Sequence, residues 1–176
     1  MIPSLDLILG TIERALTVAI LPAAGNAAAK EEASLGIMFT RWLRDVADHV
    51  VDAERASYHD CRSALGDVAG MLASGAAQTA VAGEIRGFLG EPVAEAASRV
   101  REESRRAKAL LSRSLRAARE DGSDSARLIR RRLADLAGQE LEREIAFGRA
   151  TGIDPDGAKS PALAEVLATW KRRQTP

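Results

Sequence analysis

Cysteine, histidine and aromatic side chains are scarce in this chain, and each shortage closes off some chemistry. A single cysteine, Cys61, stands among 176 residues. It leaves no internal disulfide and no Cys-based zinc site. The two histidines, His49 and His59, lack the glutamate three positions earlier that the paired Glu-x-x-His motifs of a di-iron bundle require; Val46 and Ala56 stand there. Aromatics make up 3% of the chain, so no row of rings is available to stack on single-stranded bases. No apolar run reaches 18 residues, because Pro22 and Gly25 interrupt the best one, and Asp6, Glu13 and Arg14 replace the basic leader of a secretory signal. These absences point to a cytoplasmic protein with no membrane contact. No glycine loop ends in Lys-Ser/Thr after a strand, and no serine-nucleophile elbow is visible.

What remains is rich in alanine, with 46% hydrophobic and 28% charged residues, a composition that folds. Alanine loses no side-chain entropy in a helix and lets helix axes approach closely, while strand-type alternation is scarce. The pattern predicts an all-α fold, an antiparallel helical bundle of five to six helices with one or two long helices, in one domain over residues 1–176. Ser4 is the expected N-cap of a first helix carrying Leu5, Ile8, Leu9, Ile12, Leu16 and Ala19 on one stripe. Residues 26–73 form one long helix or two, with a break expected near Ser57, where "ERASYHDC" weakens the stripe of Leu35, Phe39, Trp42, Val46, Val50 and Ala53. A short helix then ends near Gly90, and Pro92 fits the first turn of a fourth. A fifth helix is expected over 125–150, with Ile129, Leu133, Leu136, Leu141 and Phe147 near its seam. Ser160 and Pro161 are expected to open a terminal helix.

The most conspicuous stretch is "RVREESRRAKALLSRSLRAARE", residues 99–120, with eight basic and three acidic side chains. Clustered arginines on a helix suit phosphate contact. The competing reading is a solvated back. Val93, Ala97, Val100, Ser104, Ala107, Leu111, Ser114 and Ala118 recur at alternating spacings of four and three, a heptad seam of mostly small residues, with the arginines on the other half of the wheel. The seam is the stronger signal, so nucleic-acid binding is not favoured. Residues 1–98 carry 7 Lys/Arg against 13 Asp/Glu and residues 99–176 carry 18 against 12. The chain is neutral overall, but its halves are charged −6 and +6 and can attract each other.

Few residues suggest a site. Asp45, His49 and Asp52 share a helix side at spacings of four and three and are candidate metal ligands, although a hydrogen-bonded or solvated cluster is the commoner use of such residues. Glu140 falls on the fifth helix's apolar seam, and Glu144 lies one turn on. Two carboxylates there could serve as an acid/base pair or hold a cation, or the seam is half exposed and covered by Arg143 or Arg132. Asp60 is expected to cap a helix break. Cys61 reads as core packing, since His59 two positions away points to another helix side. The loop "DPDGAKS" lacks the twelfth-position glutamate of a calcium loop. No catalytic residue and no cofactor are expected.

The stretch "IERALTVAILPAAGNAAAKEEASLGIMFTRWLRDV", residues 12–46, resembles the start of a bacterial helical domain of unknown function associated with aminoglycoside-phosphotransferase-like proteins and acyl-CoA dehydrogenases. The shared features are a helix ending in "LPA" and a long Ala-rich helix with an "L-x-I" step, here Leu35 and Ile37. The resemblance implies an accessory role beside acyl-CoA or kinase-like enzymes and assigns no catalytic residue. The sequence thus points to a non-enzymatic helical protein acting by association, a homo-oligomer or a protein partner being the expected mode. A small ligand or metal between helices and nucleic-acid binding through helix 92–120 stand as alternatives.

Overall fold

The computed structural model describes residues 4–72, 76–119, 123–149 and 159–174, and every described element is helical. The first rod, α1, runs through Leu5–Ala15, Leu16–Ile20 and Leu21–Ala23. It is followed by α2 (Ala27–Ala47), α3 (Val50–Met71), α4 (Ala76–Gly90), α5 (Ala97–Arg119), α6 (Asp124–Gly148) and α7 (Leu163–Gln174). These are seven helices among the described residues against the five to six expected, and α2, α3, α5 and α6 each exceed twenty residues against the one or two long helices expected. Of the turn "DGSDS", residues 121–122 lie outside the described residues, while Ser123 Oγ accepts the Ala126 N–H (3.2 Å) at the start of α6; "TGIDPDGAKS" lies outside them except for Lys159 and Ser160.

Local chemistry sets the boundaries. Ser4 Oγ accepts the Leu7 N–H (3.2 Å) and Asn26 Oδ1 accepts the Ala29 N–H (2.8 Å), so both N-caps satisfy a first-turn donor. The first rod passes Pro22 and ends at Ala23. The turn over Leu16–Ile20 widens to π geometry, with the Leu21 N–H bonded to the Leu16 carbonyl, which accommodates the donor and the space that proline removes.

Several expectations are corrected. The break between α2 and α3 falls at Asp48–His49, where the His49 N–H bonds the Val46 carbonyl (2.9 Å), and not near Ser57. Helix α3 runs straight through "ERASYHDC" because Ala56, Tyr58 and Cys61 are themselves buried there. Asp60 is therefore a buried residue in the interior of a helix, not at a helix break. Pro92 lies in the extended link between α4 and α5, so α5 starts at Ala97 and Val93 is exposed. Helix α7 starts at Leu163, two residues beyond Pro161, and the Glu165 carboxylate accepts the Ala162 N–H (3.2 Å) at its start. On α6, Leu141 is exposed and not on a covered seam.

The residues group into two compact units, Met1–Val50 with Arg143–Pro176, and Val51–Glu142. In the first, α1 and α2 form a helical hairpin. Leu9, Ala33, Ile37 and Thr40 are buried, and a Cβ on Gly36 would lie 3.3 Å from Leu16 Cδ1, so the missing side chain permits the close approach. Trp42 secures the end of α6: its indole N–H donates to the Phe147 carbonyl (2.8 Å) and its ring meets Phe147 edge-on at 5.2 Å. The second unit buries Tyr58, Cys61, Leu65, Val68, Ile85, Phe88, Val100, Ala107, Leu111, Ala118, Ile129 and Leu136 in one cluster.

Candidate functional site

The heptad seam of α5 is largely where its spacing puts it. Val100, Ala107, Leu111, Ser114 and Ala118 are buried, Ala97 and Ser104 partly so. Ser114 is tolerated in the core because its hydroxyl donates to the Leu110 carbonyl one turn back (2.9 Å). Arg101, Arg105, Arg106, Lys108, Arg113 and Arg116 are exposed on the opposite half.

That basic back is extensively paired. Arg101 donates to Glu54 (2.6 Å), Lys108 to Glu140 (2.9 Å), and Arg113 to Glu84 through both terminal nitrogens. Arg106 holds Glu91 in a bidentate pair (2.9 Å to each oxygen) and also Glu103 (2.9 and 3.1 Å). Those hydrogen bonds drop the Glu91 carboxyl below its ordinary value and raise the Arg106 guanidinium above its own; Glu84 does the same to Arg113. Glu54, Glu84 and Glu91 belong to the acidic first half of the sequence, as does Asp67, which takes Arg132 (2.6 Å). The opposed charges of the two halves are thus matched within one unit of the chain.

Sequence reasoning missed the knot around Phe88. The guanidinium carbons of Arg62 and Arg106 lie over the buried Phe88 ring, 5.4 and 5.3 Å from its centroid. Arg62 also donates to the carbonyls of Phe88 (3.3 Å), Leu89 and Glu91 (2.8 Å), closing the C-terminus of α4. The Tyr58 hydroxyl accepts from Arg62 and from the Ala94 N–H, both at 3.4 Å. Arg130 caps α5 in the same way, donating to the Ala118 carbonyl (2.8 Å). Arginine at helix C-termini is a usable sequence signal, but linear spacing does not say which distant carbonyls an arginine will reach.

Asp45 and His49, two of the metal candidates, line one cleft of the first unit. No group of three or more His, Cys, Asp or Glu among the described residues could hold a metal ion. Asp45 is exposed, His49 is half-buried, and Asp52 lies 3.9 Å from Arg55. Glu140 is covered by Lys108 and by the Ser57 hydroxyl (3.1 Å), not by Arg132, which is engaged with Asp67. Glu144 is exposed, so the two glutamates do not share a dry site. Cys61 is buried and forms no disulfide. Within the first unit, a cleft of about 440 Å³ has Val46, Ala146 and Leu163 as its apolar walls and Asp45, His49 and Arg149 among its polar lining.

The hairpin of the first unit carries the most unusual surface. Nine of its large apolar side chains are exposed: Leu5, Leu7, Ile8, Ile12, Val18, Ile20, Leu35, Phe39 and Leu43. Leu35 and Phe39, expected on a covered stripe, lie in solvent, and the packing is done by Ala33, Ile37 and Thr40 on another side of α2. On the polar side, Glu13 binds Arg41 (2.6 Å) and Arg44 (2.9 Å), and Asp6 binds Arg44 (3.0 Å). The hydrogen bond from Arg41, followed by that from Arg44, holds the Glu13 carboxyl below its ordinary value. No helix among the described residues is long and apolar enough to cross a membrane. No family model, curated protein or solved structure matches the chain.

Proposed function

We propose that this chain is a non-enzymatic helical accessory protein that acts by association, self-association being the simplest case. The observation that supports the reading is the concentration of exposed Leu, Ile, Val and Phe on α1 and α2. Isolated exposed apolar residues are ordinary on a protein surface, but a contiguous group of them marks an interaction site. On this reading the helices form an antiparallel bundle completed by a partner, and the protein works in the cytoplasm, where the lone Cys61 stays a thiol. The resemblance of residues 12–46 adds that the associated machinery includes acyl-CoA or kinase-like enzymes. Light scattering on the full chain tests the core of the proposal. It expects a particle of twice the 18.7 kDa chain mass at micromolar concentration. A monomer persisting at several hundred micromolar rejects self-association.

A second reading, a small ligand held between helices, is favoured by the 440 Å³ cleft, whose volume lies in the range of ligand pockets. Its lining of Asp45, His49 and Arg149 over apolar walls suits a small carboxylate that also carries a cationic group, Arg149 meeting the first and Asp45 the second. A panel of such carboxylates that leaves the melting midpoint unmoved ends this reading.

A further inference from the structure

Resting on the association reading, we propose that the exposed face of the N-terminal hairpin packs against the same face of a second copy, about a two-fold axis, to complete a four-helix bundle. The hairpin has two sides. Glu13, Asp6, Arg41 and Arg44 are joined by ion pairs and so occupy one side of the α1–α2 contact. Thr17 lines the same hollow as Arg41. At about 100° per residue, Leu5, Ile8 and Ile12 on α1 and Leu35, Phe39 and Leu43 on α2 project from the opposite side. Because the helices are antiparallel, Ile12 comes level with Phe39, and Ile8 with Leu43, so the two rows merge into one strip.

The size of the strip fits a second copy. Its six residues are 42–54% exposed. At roughly 200 Å² for a large apolar or aromatic residue, they present on the order of 500 Å² per copy, so two copies bury about 1,000 Å², the lower bound for a specific interface. Its chemistry fits as well. The six positions are all apolar, Asp6, Glu13, Arg41 and Arg44 are paired on the other side, and the exposed Glu32, one heptad before Phe39, is the charge at the strip's edge on α2. An apolar strip of this kind matches itself under two-fold symmetry. Beyond Ile12, α1 continues with the exposed small residues Ala15 and Ala19, which leave room for the Phe39 ring of the facing copy.

The test uses the full chain with Phe39→Asp, Ile12→Cys and Thr17→Cys. All three positions are exposed, and unchanged far-UV circular dichroism confirms the fold. The proposal expects a wild-type dimer in sedimentation equilibrium, at least a tenfold weaker dimer for Phe39→Asp, and bismaleimide cross-linking of Ile12→Cys well above that of Thr17→Cys. A wild-type dimer that Phe39→Asp leaves intact overturns this face while the association reading survives. A wild-type monomer at several hundred micromolar overturns both.

Discussion

Arg62 joins three elements through one planar group. It donates to the last carbonyls of α4, lies against Phe88 and reaches the Tyr58 hydroxyl that receives the Ala94 N–H. Replacing it leaves several carbonyls in a part-buried setting without a charged donor. Arg62→Ala should therefore cost about 2–3 kcal/mol in urea denaturation, the scale of hydrogen bonds to charged groups. Arg62→Lys should recover less than half of that loss, because an ammonium cannot offer the guanidinium's planar fork. A loss below about 0.5 kcal/mol for Arg62→Ala would place the closure of α4 elsewhere. Glu91 makes a second prediction at this scale. Its folded carboxyl is held below the ordinary range by Arg106, so its contribution to stability is present above the unfolded value of about 4.3 and fades as pH falls through the lower folded value. Glu91→Gln should flatten the acid limb of stability against pH. An unchanged limb would show that Glu103 alone satisfies Arg106.

At the scale of the element, α5 is a packing helix whose seam depends on small side chains. Ala107, Ser114 and Ala118 are fully buried, so the neighbouring helices approach within the reach of a methyl group. Ala107→Leu should overpack the site and destabilise by about 1–3 kcal/mol. The same change at Ala97, only partly buried at the helix start, should cost under about 0.5 kcal/mol. Equal costs at both positions would mean that the heptad does not define the contact. This seam was legible because period and residue size agree from Val100 to Ala118. The stripe of α2 was legible only in part. Spacing correctly puts Leu35 and Phe39 on one side of the helix, but it cannot tell whether that side is covered within the chain. The α3 region was misread for a different reason. A small residue such as Ala56 packs as tightly as a large one while contributing little to an apolar pattern. Among the candidate site residues, Asp45, His49 and Asp52 shared a face by spacing, but a metal also needs three ligands converging in space, and convergence is a tertiary property that the helix break at Asp48–His49 alters.

For the whole molecule, the informative quantity is where charge is neutralised. The chain is neutral in sum, with a basic second half that could serve nucleic acid if it stood alone. Instead Arg101, Arg106 and Arg113 are taken by Glu54, Glu91 and Glu84. A guanidinium already holding a carboxylate has little to gain from a phosphate, because displacing the first partner offsets the gain from counterion release. The native chain should therefore not retard a labelled duplex even in low-salt buffer. The quadruple variant Glu54→Gln, Glu84→Gln, Glu91→Gln, Glu103→Gln, which includes Glu103 because it also holds Arg106, frees three exposed arginines along one helix. It should acquire weak retardation whose logarithmic affinity falls with the logarithm of salt concentration at a slope of about −2 to −3, near −0.9 per phosphate engaged. Retardation by the native chain with the same slope would make the basic back a nucleic-acid surface and the ion pairs incidental. Retardation by neither chain would show that the back of α5 lacks the geometry to follow a phosphate backbone even when its arginines are free, leaving packing as the only role of that helix.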